Sequence, residues 1–531
     1  MALARAWSVA LIGVDGRAVE IEADIGAGLP GTKLVGLPDT GLREAKDRVR
    51  AAVRNSGQRW PDSNVTLGLS PANLPKDGSG YDLGIAAAVL AASGAVPAHK
   101  LLDTVLLGEL ALDGRVRPVR GVLPALLAAR KAGYRRAVVA VESLAEGALV
   151  AGLEVGGAER LTELIAWLAD EGPLVRAEPQ PGVDGVGTDV LDLADVAGQP
   201  EARWALEVAA AGGHNLLMTG PPGIGKTMLA TRLPGLLPAL GDDEALEVTA
   251  VHSVDGALSS EAPLVRVPPF VAPHHSISVA ALIGGGSGLA APGAISRAHR
   301  GVLFLDEAPE FGGERLAALR TVLEEGEVRI GRSKGWVRYP ARFQLVLAAN
   351  TCPCAPARET ECQCSPAARR RYFAKLSGPL LDRVDLRVRM RPASSLSLAA
   401  EIDDLADSDA PGSAGGGETA PVGAGQVGAG EPTARVRDRV VAARERAAKR
   451  WSERGWRTNA DVPGPALRRE FALPAAVTRL LDRSLDRGAV TARGADRCLR
   501  IAWTLADLAA ADEPDGDHVA AALEFRDRRV A

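Results

Sequence analysis

Leu216-Leu217-Met218-Thr219-Gly220-Pro221-Pro222-Gly223-Ile224-Gly225-Lys226-Thr227 is the stretch from which the rest of this 531-residue chain is read. Its four leading residues are an apolar run that predicts a buried strand, and Met228 to Leu233 predicts a helix. Between them stands a full G-x-x-x-x-G-K-T match. Glycines at these positions let backbone amides and the following helix N-terminus wrap an anion, lysine reaches β/γ-phosphate oxygens, and the threonine hydroxyl ligates Mg2+. Gly220, Pro221, Pro222, Gly223, Ile224, Gly225, Lys226, Thr227 and Met228 are therefore expected to hold ATP. The alternative, a glycine-rich turn before a helix, does not account for the strand-loop-helix setting.

Val302-Leu303-Phe304-Leu305-Asp306-Glu307 is a second apolar strand, ending in two acids. This places both carboxylates at the carboxyl edge of a parallel sheet, where open α/β folds bind ligands. Asp306 is expected to hold the Mg2+ shell with Thr227. Glu307 is expected to orient and polarise the attacking water, since phosphoryl transfer asks a protein chiefly for positioning and charge stabilisation. Two acids capping the next helix are the alternative. A third apolar strand, Gln344 to Ala349, ends at Asn350. Strand, loop, helix, strand and acidic pair in this order predict a doubly wound α/β core over 191–391.

Length suggests about three domains. Residues 1–170 alternate β-like runs such as Val65 to Leu69 with Ala-rich helical stretches such as Leu83 to Ala92 and Gly121 to Ala132, predicting an α+β unit. A Gly/Pro/Val-rich linker is expected over 171–190. The span 392–434 holds seven carboxylates and no Lys or Arg around a Gly/Ala/Pro-rich centre, and is expected to be disordered. Residues 435–531 predict helices at Val436 to Arg454, Ala475 to Arg487, Gly494 to Ala511 and after Asp517. A net charge of −4 means that any nucleic-acid contact must come from local patches. No apolar run reaches the roughly 18 to 20 residues of a membrane span, and the N-terminus has no secretory pattern, so a cytoplasmic protein without a membrane partner is expected.

The stretches Ala272-Pro273-His274-His275-Ser276, Pro292-Gly293-Ala294-Ile295-Ser296, Ala298-His299-Arg300-Gly301 leading into Val302, and Leu376-Ser377-Gly378-Pro379-Leu380-Leu381-Asp382-Arg383-Val384-Asp385 closely resemble the magnesium-chelatase-like AAA+ ATPases of the ComM/YifB group, across nearly the whole chain. The resemblance implies a P-loop AAA+ parallel-sheet core with a C-terminal helical lid, assembled as a homo-oligomeric ring, a hexamer. It implies that Asn350 senses the γ-phosphate and that Arg383 reaches the neighbouring subunit's γ-phosphate. It assigns Arg493, in Thr491-Ala492-Arg493-Gly494, as a second sensing arginine, with Arg497 in reserve. The activity implied is an ATP-driven motor on single-stranded or branched DNA, promoting branch migration in recombination during natural transformation. A magnesium-chelatase motor subunit and a protein-remodelling ATPase are the alternatives. The N-terminal unit resembles the proteolytic domain of Lon at Pro75-Lys76-Asp77-Gly78 and Gly108 to Val119. The Ser/Lys dyad that peptidase chemistry needs is missing, because Ser79-Gly80-Tyr81 replaces the expected serine motif and Leu123 the expected lysine. Ser79 and Lys76 are the residual peptidase pair.

Cys352-Pro353-Cys354 and Cys362-Gln363-Cys364 offer four thiolates for a structural Zn2+ site, with a redox or iron-sulfur role and free thiols as alternatives. Cys498 stands alone in an apolar helix and reads as core. His274 and His275 open the glycine-rich Ile283 to Gly288 region, as part of a pore-facing insertion or as structural residues. Basic surpluses at 367–389 and at 435–457, the latter interleaved with Trp451 and Trp456, fit sequence-independent DNA binding, or else a solvated face or subunit contacts. Val328 to Arg338 alternates like a hairpin around Ser333 to Gly335, with Arg329, Arg332, Lys334 and Arg338 as charges fit for a ring pore.

Overall fold

Five short apolar runs lie side by side, all in one direction, in the order Phe270–Val271, Val302–Leu305, Gln344–Ala349, Leu216–Thr219 and Leu386–Arg389. The computed structural model describes residues 2–36, 40–74, 76, 78–176, 191–258, 263–286, 290–332, 335–357, 359–376, 378–391 and 430–527. Every residue from Gln344 to Ala349 is buried, as expected of a parallel strand covered by helices on both faces. Thr219 lies opposite Ala349 and Leu305 opposite Leu347, so the strands that precede the sequence-predicted site end at one edge. At the other edge Asn215 joins three strands. Its backbone N–H donates to Asp385 Oδ2 (3.0 Å), its side-chain amide donates to the Arg383 carbonyl (2.9 Å), and its Oδ1 accepts from Leu345 N–H (2.8 Å).

The C-terminal helices Thr433–Trp451, Ala475–Asp486, Ala492–Leu508 and Gly516–Asp527 share one apolar cluster with helix Pro200–Gly212 and with strand residues Leu216 and Met218. Trp451 is fully buried there, edge-on to Trp456, Phe471 and Trp503, and its indole N–H donates to Asn459 Oδ1 at 2.9 Å. Arg450 lies over Trp503 at 4.5 Å and donates to Asp507. Trp451 is therefore core and not a stacking surface, and several of the cations over 435–457 are used within the fold: Arg439 on Glu207 and Glu431, Arg444 on the Ala210 carbonyl, Arg454 on Glu470 and Arg457 on Glu244, while Arg435, Arg437 and Lys449 are exposed.

The first of these helices starts at Thr433, three residues earlier than expected. Its cap comes from a distant part of the chain: Asp192 Oδ1 accepts from the Thr433 N–H at 2.7 Å and from its hydroxyl at 3.0 Å, while also accepting from Ala194 N–H at 3.1 Å. A helix N-terminus leaves amides without intrahelical partners, so this one carboxylate satisfies donors from two segments. Residues 177–190 of the expected linker and 392–429 of the expected insertion lie outside the described residues.

The N-terminal unit is a mixed eight-stranded sheet. The hairpin Ala2–Ile12 with Asp15–Gly26 pairs antiparallel with Asn64–Ser70, and Thr104–Leu106, Arg136–Ala140 and Glu154–Ala158 extend it in parallel on the other side. Its helix Val122–Lys131 packs on helix Asp242–Asp255, where Gly121 N–H donates to the Ser253 carbonyl (3.0 Å) and Ser253 Oγ to Glu146 Oε2 (2.5 Å). Gly121 has φ +76°, and a Cβ there would meet Leu11 Cδ1 at 2.3 Å. Within this unit Lys76 is buried and donates to the Gly36 (3.3 Å) and Pro71 carbonyls, whereas the Ser79 hydroxyl donates to Glu109. The two are therefore engaged elsewhere and not with each other; Pro75 and Asp77 of that motif lie outside the described residues.

Burial opposes ionisation of Asp192, but donors from Thr433, Ala194 and Leu193 outweigh it and hold the carboxyl below the usual aspartate range. A depressed carboxyl contributes stability above its unfolded pKa and loses it as pH falls through the lowered value. Asp192→Ala is therefore expected to cost about 1–2 kcal/mol at neutral pH and less in acid. Thermal unfolding at pH 7 and at pH 3.5 checks this, and a midpoint unmoved at pH 7 contradicts the tertiary cap.

Candidate active site

At the carboxyl edge, Thr219 leads into a loop in which Gly223 (φ +74°) and Gly225 (φ +95°) adopt left-handed conformations, each with open space where a Cβ would stand. They turn the chain into helix Lys226–Ala230. Lys226 is buried and folds back across its own loop: Nζ donates to the carbonyls of Gly220 and Pro221, both at 2.8 Å, and to Asn350 Oδ1 at 3.0 Å. Burial pushes its pKa down, against the pull of Asp306 and Glu307. Three oxygens thus already sit around an ammonium group suited to phosphate oxygens.

Thr227 Oγ1 donates to Asp306 Oδ2 at 2.7 Å, and Glu307 N–H donates to Asp306 Oδ1 at 2.9 Å. A hydroxyl and a carboxylate in direct contact are the oxygen ligands Mg2+ takes. Glu307 itself has φ +49°, a strained conformation for a residue with a side chain. Its Oε2 lies 3.4 Å from His275 Nδ1, and the His275 and His274 rings are 4.1 Å apart. The histidines therefore line this cleft, a placement that neither the pore-facing nor the structural alternative named; Ser287 and Gly288 of that glycine-rich stretch lie outside the described residues. Phe270–Val271 is the parallel neighbour of Val302–Leu305, so the residues after it arrive beside Glu307. An apolar Phe-Val pair followed within four residues by two histidines was the signal that sequence reading missed. The cleft encloses about 490 Å3 between Pro222–Met228, Pro273–His275, Asp306, Glu307 and Asn350.

Arg383 and Arg493 are not in this cleft. Arg383 is buried at the opposite edge, donating to Glu324 and to the Pro379 carbonyl (2.5 Å). Burial and the nearby cations Arg320, Arg493 and Arg497 lower its pKa. Arg493 is exposed, with no hydrogen-bond or ion-pair partner among the described residues, and Arg497 donates to Asp385. Arg383 and Arg497 line a second cavity of about 1040 Å3 between the amino edge of the sheet and the C-terminal helices.

The four clustered cysteines begin two residues after Asn350 and lie with all four sulfurs within 4.8 Å of one another. Taken in pairs, the separations are 3.3 Å for Cys352–Cys354 and Cys362–Cys352 and 3.6 Å for Cys354–Cys362. A tetrahedral metal with bonds of about 2.3 Å needs sulfurs about 3.8 Å apart, so the set fits a metal with little movement. Cys498 is buried in the C-terminal core, as expected.

Comparison with known proteins gives a consistent picture. The family model for "Magnesium chelatase, subunit ChlI" matches residues 192–398, that for "Subunit ChlI of Mg-chelatase" residues 21–143, and that for "Magnesium chelatase, subunit ChlI C-terminal" residues 430–526. The chain is 56% identical over 530 residues to an uncharacterized protein of Mycobacterium tuberculosis, covering 99% of both. It is 40% identical over 529 residues to the uncharacterized protein YifB of Escherichia coli, covering 99% of this chain and 97% of that protein. To the competence protein ComM of Haemophilus influenzae it is 39% identical over 532 residues, covering 99% and 98%.

Proposed function

The chain belongs to the magnesium-chelatase-like AAA+ ATPases, in the group with YifB and ComM, and on that premise we propose that it is a ring-forming DNA motor that drives branch migration with ATP. One observation carries the hydrolytic part: Lys226, Thr227, Asp306, Glu307 and Asn350, drawn from three parallel strands, converge on one cleft. In this reading Lys226 exchanges its three oxygen acceptors for β/γ-phosphate oxygens, which frees Asn350 to contact the γ-phosphate. Mg2+, held by Thr227 and Asp306, would neutralise charge developing on the phosphates. Glu307 orients the attacking water once its carboxylate leaves His275. The competence name of the Haemophilus relative supports DNA as substrate. A magnesium-chelatase-type ATPase, favoured by the family descriptions, or else a protein-remodelling ATPase, is the second reading. Steady-state ATP hydrolysis with single-stranded, duplex and four-way-junction DNA, using Glu307→Gln as blank, separates them. DNA stimulation is expected, and indifference to all three substrates favours the second reading.

The position of the arginines supports a homo-oligomeric ring, a hexamer in this reading. Arg383 and Arg493 lie away from their own cleft, so in this reading they serve the neighbour's nucleotide. Arg383→Ala and Glu307→Gln should each be inactive alone. Mixed, they should regain part of the activity, because a Glu307-bearing cleft then meets an Arg383-bearing neighbour; a dead mixture contradicts action between subunits.

The N-terminal unit is read as a Lon-like fold without peptidase chemistry, serving as a platform for the ring; the separate engagements of Lys76 and Ser79 support this. Cys352, Cys354, Cys362 and Cys364 are read as a structural Zn2+ site. Purified protein is expected to carry one equivalent of zinc by elemental analysis, lost in Cys352→Ser with a lower unfolding temperature; wild-type protein purified without metal contradicts it.

A further inference from the structure

The chain has eight tryptophans, four tyrosines and seven phenylalanines, and Trp336 alone among them is exposed, at 70%. It stands on a two-stranded hairpin, Glu327–Arg332 with Gly335–Pro340, that joins no other sheet among the described residues; Ser333 and Lys334 at its tip lie outside them. Side chains on a strand alternate between faces. One face of this hairpin is core: Val328, Val337 and Tyr339 are buried, and Ile330 packs against them. The other face presents Arg329, Gly331, Trp336 and Arg338, with Gly331 opposite Trp336 and Arg329 opposite Arg338. A Cβ on Gly331 would lie 3.3 Å from the indole, so the glycine gives the ring room to rest along the strand. Arg329 and Arg338 sit one step along the same face, with side chains 55% and 60% exposed. Arg329 meets Glu327 (2.5 Å) and Glu325 (3.6 Å), and Arg338 meets Asp15 (3.6 Å). Exposed ion pairs of this kind are weak, so a phosphate can replace the carboxylate.

We propose that this face binds single-stranded DNA, with Trp336 stacking on one nucleobase and the facing pair Arg329 and Arg338 holding the backbone phosphates to one side of it. The inference rests on the DNA-motor reading and adds the contact that distinguishes a single strand from a duplex. A lone aromatic beside a facing pair of guanidinium groups suits a base with the phosphates next to it, since every base offers a π-face whatever the sequence. In a duplex both faces of an interior base are already covered by stacked neighbours. A protein partner would instead call for further apolar side chains around the indole to build a buried interface core, and this face offers two arginines and a glycine.

The test measures binding of the full chain, with a non-hydrolysable ATP analogue, to a fluorescein-labelled thymidine oligonucleotide, an abasic strand of equal length and a duplex. Wild type is expected to prefer the base-bearing strand to the abasic one. Trp336→Ala should weaken binding to that strand by about tenfold and erase the preference, with duplex affinity unchanged, while Trp336→Phe retains most of both. Trp336→Ala equal to wild type on every strand, or equally weakened on all three, overturns the stacking assignment while DNA-stimulated hydrolysis keeps the motor reading intact. Loss of ring assembly in Trp336→Ala by light scattering, with strand preference retained, makes the indole a subunit contact and also overturns it. No binding or ATPase stimulation of wild type by any DNA removes both readings together.

Discussion

The hydrogen-bonded register of neighbouring parallel strands is the constraint on which the rest of the molecule depends. Adjacent strands lie about 4.8 Å apart, and Thr219 opposite Ala349 fixes Gly220 beside Asn350. That register brings Lys226 within 3.0 Å of a residue 124 positions away. The same logic places Asp306 against Thr227. A shift by one residue on a parallel strand would turn each of these side chains to the opposite face, so the burial of Gln344 to Ala349 guards the site's geometry as well as the fold's stability.

Two edges of one sheet then carry two different chemistries. The carboxyl edge gathers an ammonium, a hydroxyl, two carboxylates and an amide around an open cleft. The amino edge gathers arginines around Asp385, where burial opposes ionisation and Arg497, His214 and Arg500 outweigh it, holding the carboxyl below its usual range. Asp385 also accepts from Asn215 N–H, at the start of the strand that feeds the phosphate loop. A change in how Arg497 is held by the C-terminal helices is thus one backbone contact away from that strand. One edge is thus complete in ligands for a nucleotide and the other supplies cations, the division that the proposed ring would use.

Much of this was legible in the sequence because it is local. The loop from Gly220 to Thr227, the acidic pair after Leu305 and the Asn350 terminus each sit at the end of a short apolar run, and four cysteines within thirteen residues announce themselves. Long-range matters were not. Nothing near Thr433 signals that Asp192 caps its helix, so that helix started earlier than its own sequence implied. The basic run at 435–457 looked open because the partners of Arg439, Arg444, Arg450 and Arg457 include groups from distant segments, and Trp451 looked like a stacking surface because alternation with arginines is also how a cation–π core is built. The place of the His274–His275 pair beside Glu307 was not legible for a related reason: Phe270–Val271 is too short to read as a strand without its neighbour.

The measurement that bears most directly on the central claim is strand exchange on a mobile four-way DNA junction with one labelled arm, followed by gel separation in the presence of ATP and Mg2+. The account predicts ATP-dependent conversion of the junction into two duplexes, absent with a non-hydrolysable analogue and with Glu307→Gln. Wild-type protein that hydrolyses ATP at full rate yet leaves the junction intact would contradict it.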